Sequence, residues 1–246
     1  SSIYRENWLN RRLNTEMLEQ NIQEHFDANL VGAKVQQSPF QYLFYENVFP
    51  LNFYKNLVGS LPKFPVYDRY SKGRPGGNIF PDRFIINLDD NMKNIGRSWE
   101  IARDVIRSHS TQLTLLGKFK ETVNVRMEKD TVLEPDSILI RDRTNYALNP
   151  HTDHPRRVVI MIIYLPETAK QQHLGTSFYI PKNKHLTCNG HWHHPRSEFK
   201  RVFTAPYKPN SAIAFAKTNN SFHGVEAVSE GEERNLIHFF IKTPND

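Results

Sequence analysis

His151, Thr152 and Asp153 form a His-x-Asp tripeptide just ahead of the apolar run Val158 to Leu165. Side chains alternate faces in extended backbone, so His151 and Asp153 are expected on one side with Thr152 turned away. Alone, such a tripeptide is more often a surface turn than a metal site. The balance shifts with Ser221-Phe222-His223-Gly224-Val225, whose His223 lies seventy residues beyond Asp153 near the start of another predicted strand. Arg234 follows on the next strand. Two imidazoles and one carboxylate on one face of Fe(II) leave three positions open, which a bidentate 2-oxo acid and O2 fill. The far carboxylate of such an acid then needs a cation, and arginine offers a planar fork that lysine lacks.

This set, His151-x-Asp153 with His223 and Arg234, resembles the signature of the Fe(II)/2-oxoglutarate-dependent dioxygenases, in their prolyl-hydroxylase-like branch. The surrounding text agrees: Tyr146 before His151, the strand VVIMIIYLP after it, Gly175-Thr176-Ser177-Phe178 beyond, and Pro209-Asn210-Ser211 ahead of His223. The resemblance covers roughly residues 123 to 243 and, more loosely, 39 to 62. It implies a double-stranded β-helix, or jelly-roll, core with iron held by His151, Asp153 and His223. It also implies 2-oxoglutarate anchored by Arg234 with help from a hydroxyl, for which Tyr146, Tyr164 and Thr176 are the candidates. Some relatives carry a serine two residues after the arginine, where this chain has Leu236. Halide-transferring members have Gly or Ala at the carboxylate position, so Asp153 implies hydroxylation, with succinate and CO2 as co-products.

The rest of the chain, which carries these residues, divides into two parts. Residues 5 to about 26 place Leu9, Leu13, Met17, Leu18 and Ile22 among many charges, which reads as an amphipathic helix packed on the body. The same helix offers a possible peripheral membrane contact. Pro39 to Pro62 reads as an opening strand and a short helix ended by Gly59 and Pro62, and Asn91 to about Lys118 as one or two helices covering a sheet. Between them, Tyr67 to Gly77 holds Gly73, Pro75, Gly76 and Gly77 and reads as a surface loop that could act as a lid. Beyond Val123 the pattern is β-rich: Ser137 to Arg141, Arg157 to Leu165, Thr176 to Ile180, Ser211 to Ala216, Phe222 to Val228 and Arg234 to Lys242. Helices first and short strands afterwards give an α+β protein, one domain over 1–246, with 1–122 as mainly helical support and 123–246 as the jelly-roll core.

Composition sets the outer bounds. The chain has 246 residues, 38% hydrophobic, and no run near the roughly 20 apolar residues that span a bilayer. Cys188 is the single cysteine, which removes any internal disulfide and favours a cytoplasmic setting. The chain begins Ser1-Ser2 without methionine, so its natural N-terminus is open. A net charge of +6 favours an anionic small-molecule, saccharide or peptide substrate. No stacking array argues for nucleic acid. Arg141, Arg143, Arg156 and Arg157 flank the motif and could meet such a substrate or simply be solvated, and His238 shares a strand face with Arg234. His185, Cys188, His191, His193 and His194 crowd around Trp192, as a structural zinc would want, as an exposed insertion would allow, or as a wall over the iron would require. Two other functions use the same parts. One is a cupin-like saccharide-binding jelly roll, which has no need of Arg234. The other is a zinc hydrolase on the same His-Asp-His ligands, which lacks an obvious partner base.

Overall fold

The computed structural model describes residues 2–70, 82–190 and 192–244. The apolar alternation beyond Val123 becomes two antiparallel sheets laid face to face, as the jelly-roll expectation requires. The larger sheet has the order β1-β9-β6-β11-β4-β3-β2. Its strands are β1 (Tyr42–Glu46), β2 (Asp68–Arg69), β3 (Arg83–Asn87), β4 (Glu134–Asp142), β6 (Arg157–Tyr164), β9 (Ser211–Ala216) and β11 (Arg234–Lys242). The smaller has the order β5-β10-β7-β8, from β5 (Leu148–His151), β7 (Thr176–Pro181), β8 (Phe199–Thr204) and β10 (His223–Val225).

The larger sheet is buried on both faces, which is why β6 reads as an unbroken apolar run. Val159, Met161, Ile163, Leu139, Ile237 and Phe239 pack under the helices. Ile160, Ile162, Ile140, Leu236 and Phe240 face the smaller sheet. The helical layer is α1 (Ser2–Gly32), α2 (Leu51–Gly59), α3 (Arg97–Ile106), α4 (His109–Lys118) and α5 (Lys120–Arg126). The Ser108 hydroxyl caps α4 by accepting from the Thr111 amide. None of the helices is long and apolar enough to cross a membrane, among the described residues.

Three expectations shift. The docking stripe of α1 is Ile22, Phe26 and Leu30, whereas Leu9, Leu13, Met17 and Leu18 are exposed, because only the C-terminal half of the helix lies against α3 and α4. Strands β2, β3, β5 and β8 are additional to those read from the sequence, being short or half exposed and so weakly patterned. Of the loop, Asp68 and Arg69 pair with β3 as β2, while Gly73, Pro75, Gly76 and Gly77 lie outside the described residues. Asn210, left-handed at φ 55°, closes the turn into β9 and ties it to Phe49 through two side-chain hydrogen bonds.

Candidate metal centre

His151 ends β5 and His223 opens β10, and the two are direct cross-strand partners with ring centroids 4.3 Å apart. Asp153 arrives differently from the strand alternation its spacing suggested. The strand stops at His151, and Asp153 sits in the left-handed region at φ 74°, so a turn swings its carboxylate back toward the imidazoles. Thr152 points away as expected, its hydroxyl donating to the Cys188 carbonyl at 2.8 Å and accepting from Lys217 Nζ at 3.1 Å. All three ligand candidates are buried, and one donor atom from each lies within 4.8 Å of the others.

The hydrogen bonds around these side chains test what the centre can hold. His151 Nδ1 bonds to the Asn149 carbonyl at 3.0 Å and His223 Nδ1 to the Ser221 carbonyl at 2.8 Å. A carbonyl only accepts, so each Nδ1 carries the proton and a neutral ring turns its Nε2 lone pair inward. Those Nε2 atoms face Asp153 Oδ1 at 3.1 Å and Oδ2 at 3.4 Å. Burial, reinforced by His223, pushes His151 down to about 4, which keeps its ring neutral. Burial works against the Asp153 carboxylate, yet the nearby His223 and Arg157 hold it well below the usual range. Asp153 Oδ2 is buried without a hydrogen-bond partner. Lone pairs converging on an ionised carboxylate fit a divalent cation, with the two carbonyls as the outer supports that fix each tautomer.

Arg234 lies in the same cavity, its side chain 1% exposed. Nε donates to the Leu174 carbonyl at 2.5 Å, Nη1 to Asp142 Oδ2 at 2.9 Å and Nη2 to Thr176 Oγ1 at 3.3 Å. A guanidinium has five N–H donors, so one remains on each Nη, the pair that a carboxylate accepts. The Thr176 hydroxyl also accepts from Tyr164 at 2.9 Å, and the Tyr164 oxygen in turn takes the Thr176 amide. With both acceptor positions occupied, the Thr176 O–H is left to donate to an anion. Of the three hydroxyl candidates, Thr176 therefore touches Arg234, Tyr164 supports Thr176, and Tyr146 instead lies under the Arg83 guanidinium at 4.2 Å.

No family model matches the sequence, and no curated protein matches it. Solved structures do. The non-haem α-ketoglutarate-dependent epimerase SnoN from nogalamycin biosynthesis superposes with a TM-score of 0.52 at 11% identity, over 90% of this chain and 80% of that one. The Trichoplax adhaerens prolyl hydroxylase, in complex with a hypoxia-inducible-factor peptide fragment, gives 0.50 at 10%, over 95% and 92%. A Phytophthora capsici prolyl 4-hydroxylase gives 0.50 at 14%, over 93% and 65%. The chain has the fold of the 2-oxoglutarate oxygenases.

Within this oxygenase fold, the cavity between the sheets measures about 180 Å³ and holds His151, Asp153, His223, Thr176 and Arg234 together. Ile140, Leu148, Ile162, Val225 and Leu236 supply its apolar wall. Arg157 and His238 also line it, Arg157 lying over the Phe240 ring at 4.1 Å with Nη1 3.4 Å from Asp153 Oδ1. Arg141 and Arg143 face elsewhere, over the Phe64 ring and beside Glu233: strand alternation turns Arg141 away from the cavity, and Arg143 lies just past the end of β4. Arg156 is half-buried and lies outside the cavity lining.

The histidine-rich insertion is a wall over the candidate metal centre. His193 stacks on His151 at 4.3 Å and bonds to the Asn149 carbonyl. Arg196 clamps the insertion's far end to the Leu148 and Val225 carbonyls at 3.1 and 2.6 Å. Cys188 is buried with its thiol toward the Gly190 carbonyl, His194 packs against Phe199 and Phe222, and His191 lies outside the described residues. Among the described residues, His151, Asp153 and His223 are the one group spaced to ligate a metal. Sequence reading missed Arg83 and Asp142, which brace Arg234. Their only signal was parity: Arg83 shares a strand face with Ile85, and Asp142 with Ile138 and Ile140.

Proposed function

We propose that the chain is an Fe(II)- and 2-oxoglutarate-dependent oxygenase that hydroxylates a C–H bond of a peptide or small-molecule substrate, with succinate and CO2 as co-products. One observation carries this reading: two imidazoles and an ionised carboxylate share a buried cavity with an arginine that has two N–H groups to spare. A structural ion would need the first half of that arrangement and a hydrolytic zinc would need no distant arginine.

His151 Nε2, His223 Nε2 and the Asp153 carboxylate would hold the iron. When bound, it couples oxidative decarboxylation of 2-oxoglutarate to activation of O2. The chain's own groups supply position and dryness. Asn149 and Ser221 carbonyls fix the ring tautomers, Arg234 and the Thr176 hydroxyl take the distal carboxylate, and the apolar wall excludes water. Retention of Asp153 supports hydroxylation over halide transfer, since the carboxylate occupies the place a halide would need. Arg157, on the cavity wall and only partly engaged by Asp153, favours a substrate bearing an anionic group near the oxidised carbon.

The test is succinate release from 2-oxoglutarate in air with added Fe(II). The wild-type chain is expected to turn over slowly without primary substrate, and His151→Ala and Arg234→Gln to abolish it. Absence of both 2-oxoglutarate binding and turnover in the wild type would overturn the reading. Hydrolytic activity with zinc alone would put the hydrolase in its place.

A further inference from the structure

Asp142 on β4 is the direct cross-strand partner of Arg83 on β3 and of Arg234 on β11, so register alone sets a row of cation, anion and cation across three strands. Arg83 grips the carboxylate as a fork, Nε to Oδ1 at 2.6 Å and Nη2 to Oδ2 at 2.9 Å. Arg234 reaches the same Oδ2 with Nη1 at 2.9 Å. Asp142 is fully buried, the Arg83 side chain is 12% exposed, and both arginines line the cavity.

One arginine beside one carboxylate is a neutral pair. At this depth such a pair offers an incoming carboxylate no net charge, and the resident carboxylate repels it. Asp142 is nonetheless useful, because with Leu174 and Thr176 it fixes where the Arg234 fork points. We infer that Arg83 is a positioning residue for co-substrate binding: Asp142 aims Arg234, and Arg83 restores the positive charge that Asp142 would cancel. Because Arg83 occupies both oxygens of Asp142, Arg234 gives that carboxylate one hydrogen bond and keeps one N–H on each Nη for the ligand. The row carries a net charge of one positive unit when the cavity is empty of co-substrate, and a carboxylate from 2-oxoglutarate brings it to zero. This rests on the 2-oxoglutarate reading above.

The experiment measures 2-oxoglutarate binding by calorimetry to the full chain loaded with Mn(II), which holds the site without turnover. Arg83→Gln is expected to weaken binding by about ten- to a hundredfold. Arg83→Lys, which keeps the charge without the fork, is expected to recover most of the loss. The decisive variant is Arg83→Gln with Asp142→Asn, which returns the row to one positive charge and is expected to bind more tightly than Arg83→Gln alone. Mn(II) affinity and the thermal midpoint, followed in parallel, separate a charge effect from a misfolded cavity. Wild-type affinity in folded Arg83→Gln, or a double variant no better than the single one, would overturn the inference. If Arg83→Gln fails to fold, Arg83→Lys binding as weakly as Arg234→Gln would overturn it equally. No 2-oxoglutarate binding by the Mn(II)-loaded wild type would overturn the functional reading and this inference together.

Discussion

His238 sits on the wall of the cavity that holds the three candidate ligands, with its Nε2 buried and unpartnered. Burial, then Arg157, holds its imidazolium form well below the ordinary value of 6.5, against a smaller upward pull from Asp153; Arg83 and His223 push in the same direction as Arg157. In the unfolded chain the same ring takes up a proton near 6.5, so in the interval below that value the unfolded state binds more protons and stability rises with pH. His151, lowered to about 4, acts with the same sign. Metal-free protein is therefore expected to lose several degrees of thermal midpoint between about pH 7.5 and about pH 5.5, and His238→Gln to lose less. An equal loss in both would contradict this account of His238. At this scale the sequence was legible where a known signature applies: His151, Asp153, His223 and Arg234 lie together as the resemblance implied, although a turn and not strand alternation brings Asp153 in. Arg83 and Asp142 were opaque because their meaning is a cross-strand partnership, created only when β3, β4 and β11 come into register.

Between residues and the whole fold, the centre depends on how closely β10 approaches β5. A Cβ at Gly224 would lie 2.2 Å from the Leu148 carbonyl oxygen, a main-chain atom that cannot swing aside. Gly224→Ala must push the two strands apart and with them His223 from His151. Urea denaturation is expected to show a loss of about 1–3 kcal/mol, and Mn(II) titration a weaker site, whereas a distant surface substitution of equal stability cost would leave Mn(II) affinity intact. Strands β6, β9 and β11 were readable because they are apolar or bounded by turn residues. Strand β8 was not, since Lys200, Arg201 and Val202 are exposed and its fourth-strand position in the smaller sheet comes from pairing with β7.

Across the molecule, stability is concentrated in the two cores and leaves the start of α1 outside them. Ile3, Tyr4, Trp8, Leu9, Leu13 and Met17 are exposed, while Phe26 and Leu30 are completely buried against the helical layer. Deleting residues 2–17 is expected to leave the thermal midpoint nearly unchanged, and Phe26→Ala to cost about 3–5 kcal/mol. A deletion as damaging as Phe26→Ala would place part of the core where the structure has none. The β-rich half was visible in sequence as a change of periodicity near Val123. The length and docking face of α1 were not, because its exposed apolar residues imitate a buried stripe.

The left-handed backbone at Asp153 has an evolutionary consequence. An L side chain there costs roughly 1 kcal/mol that glycine would not incur, though aspartate tolerates the region better than most. Aspartate and glycine codons differ by a single base. Mutation can thus remove the carboxylate at this position while relaxing the main chain, so that a lineage loses one function without losing the fold. Asp153→Gly is expected to resist urea better than Asp153→Ala in metal-free protein, both lacking the ligand. The outcome would mark residue 153 as a place where the scaffold stands open to new chemistry, with a carboxylate-sized vacancy beside two imidazoles already held in position.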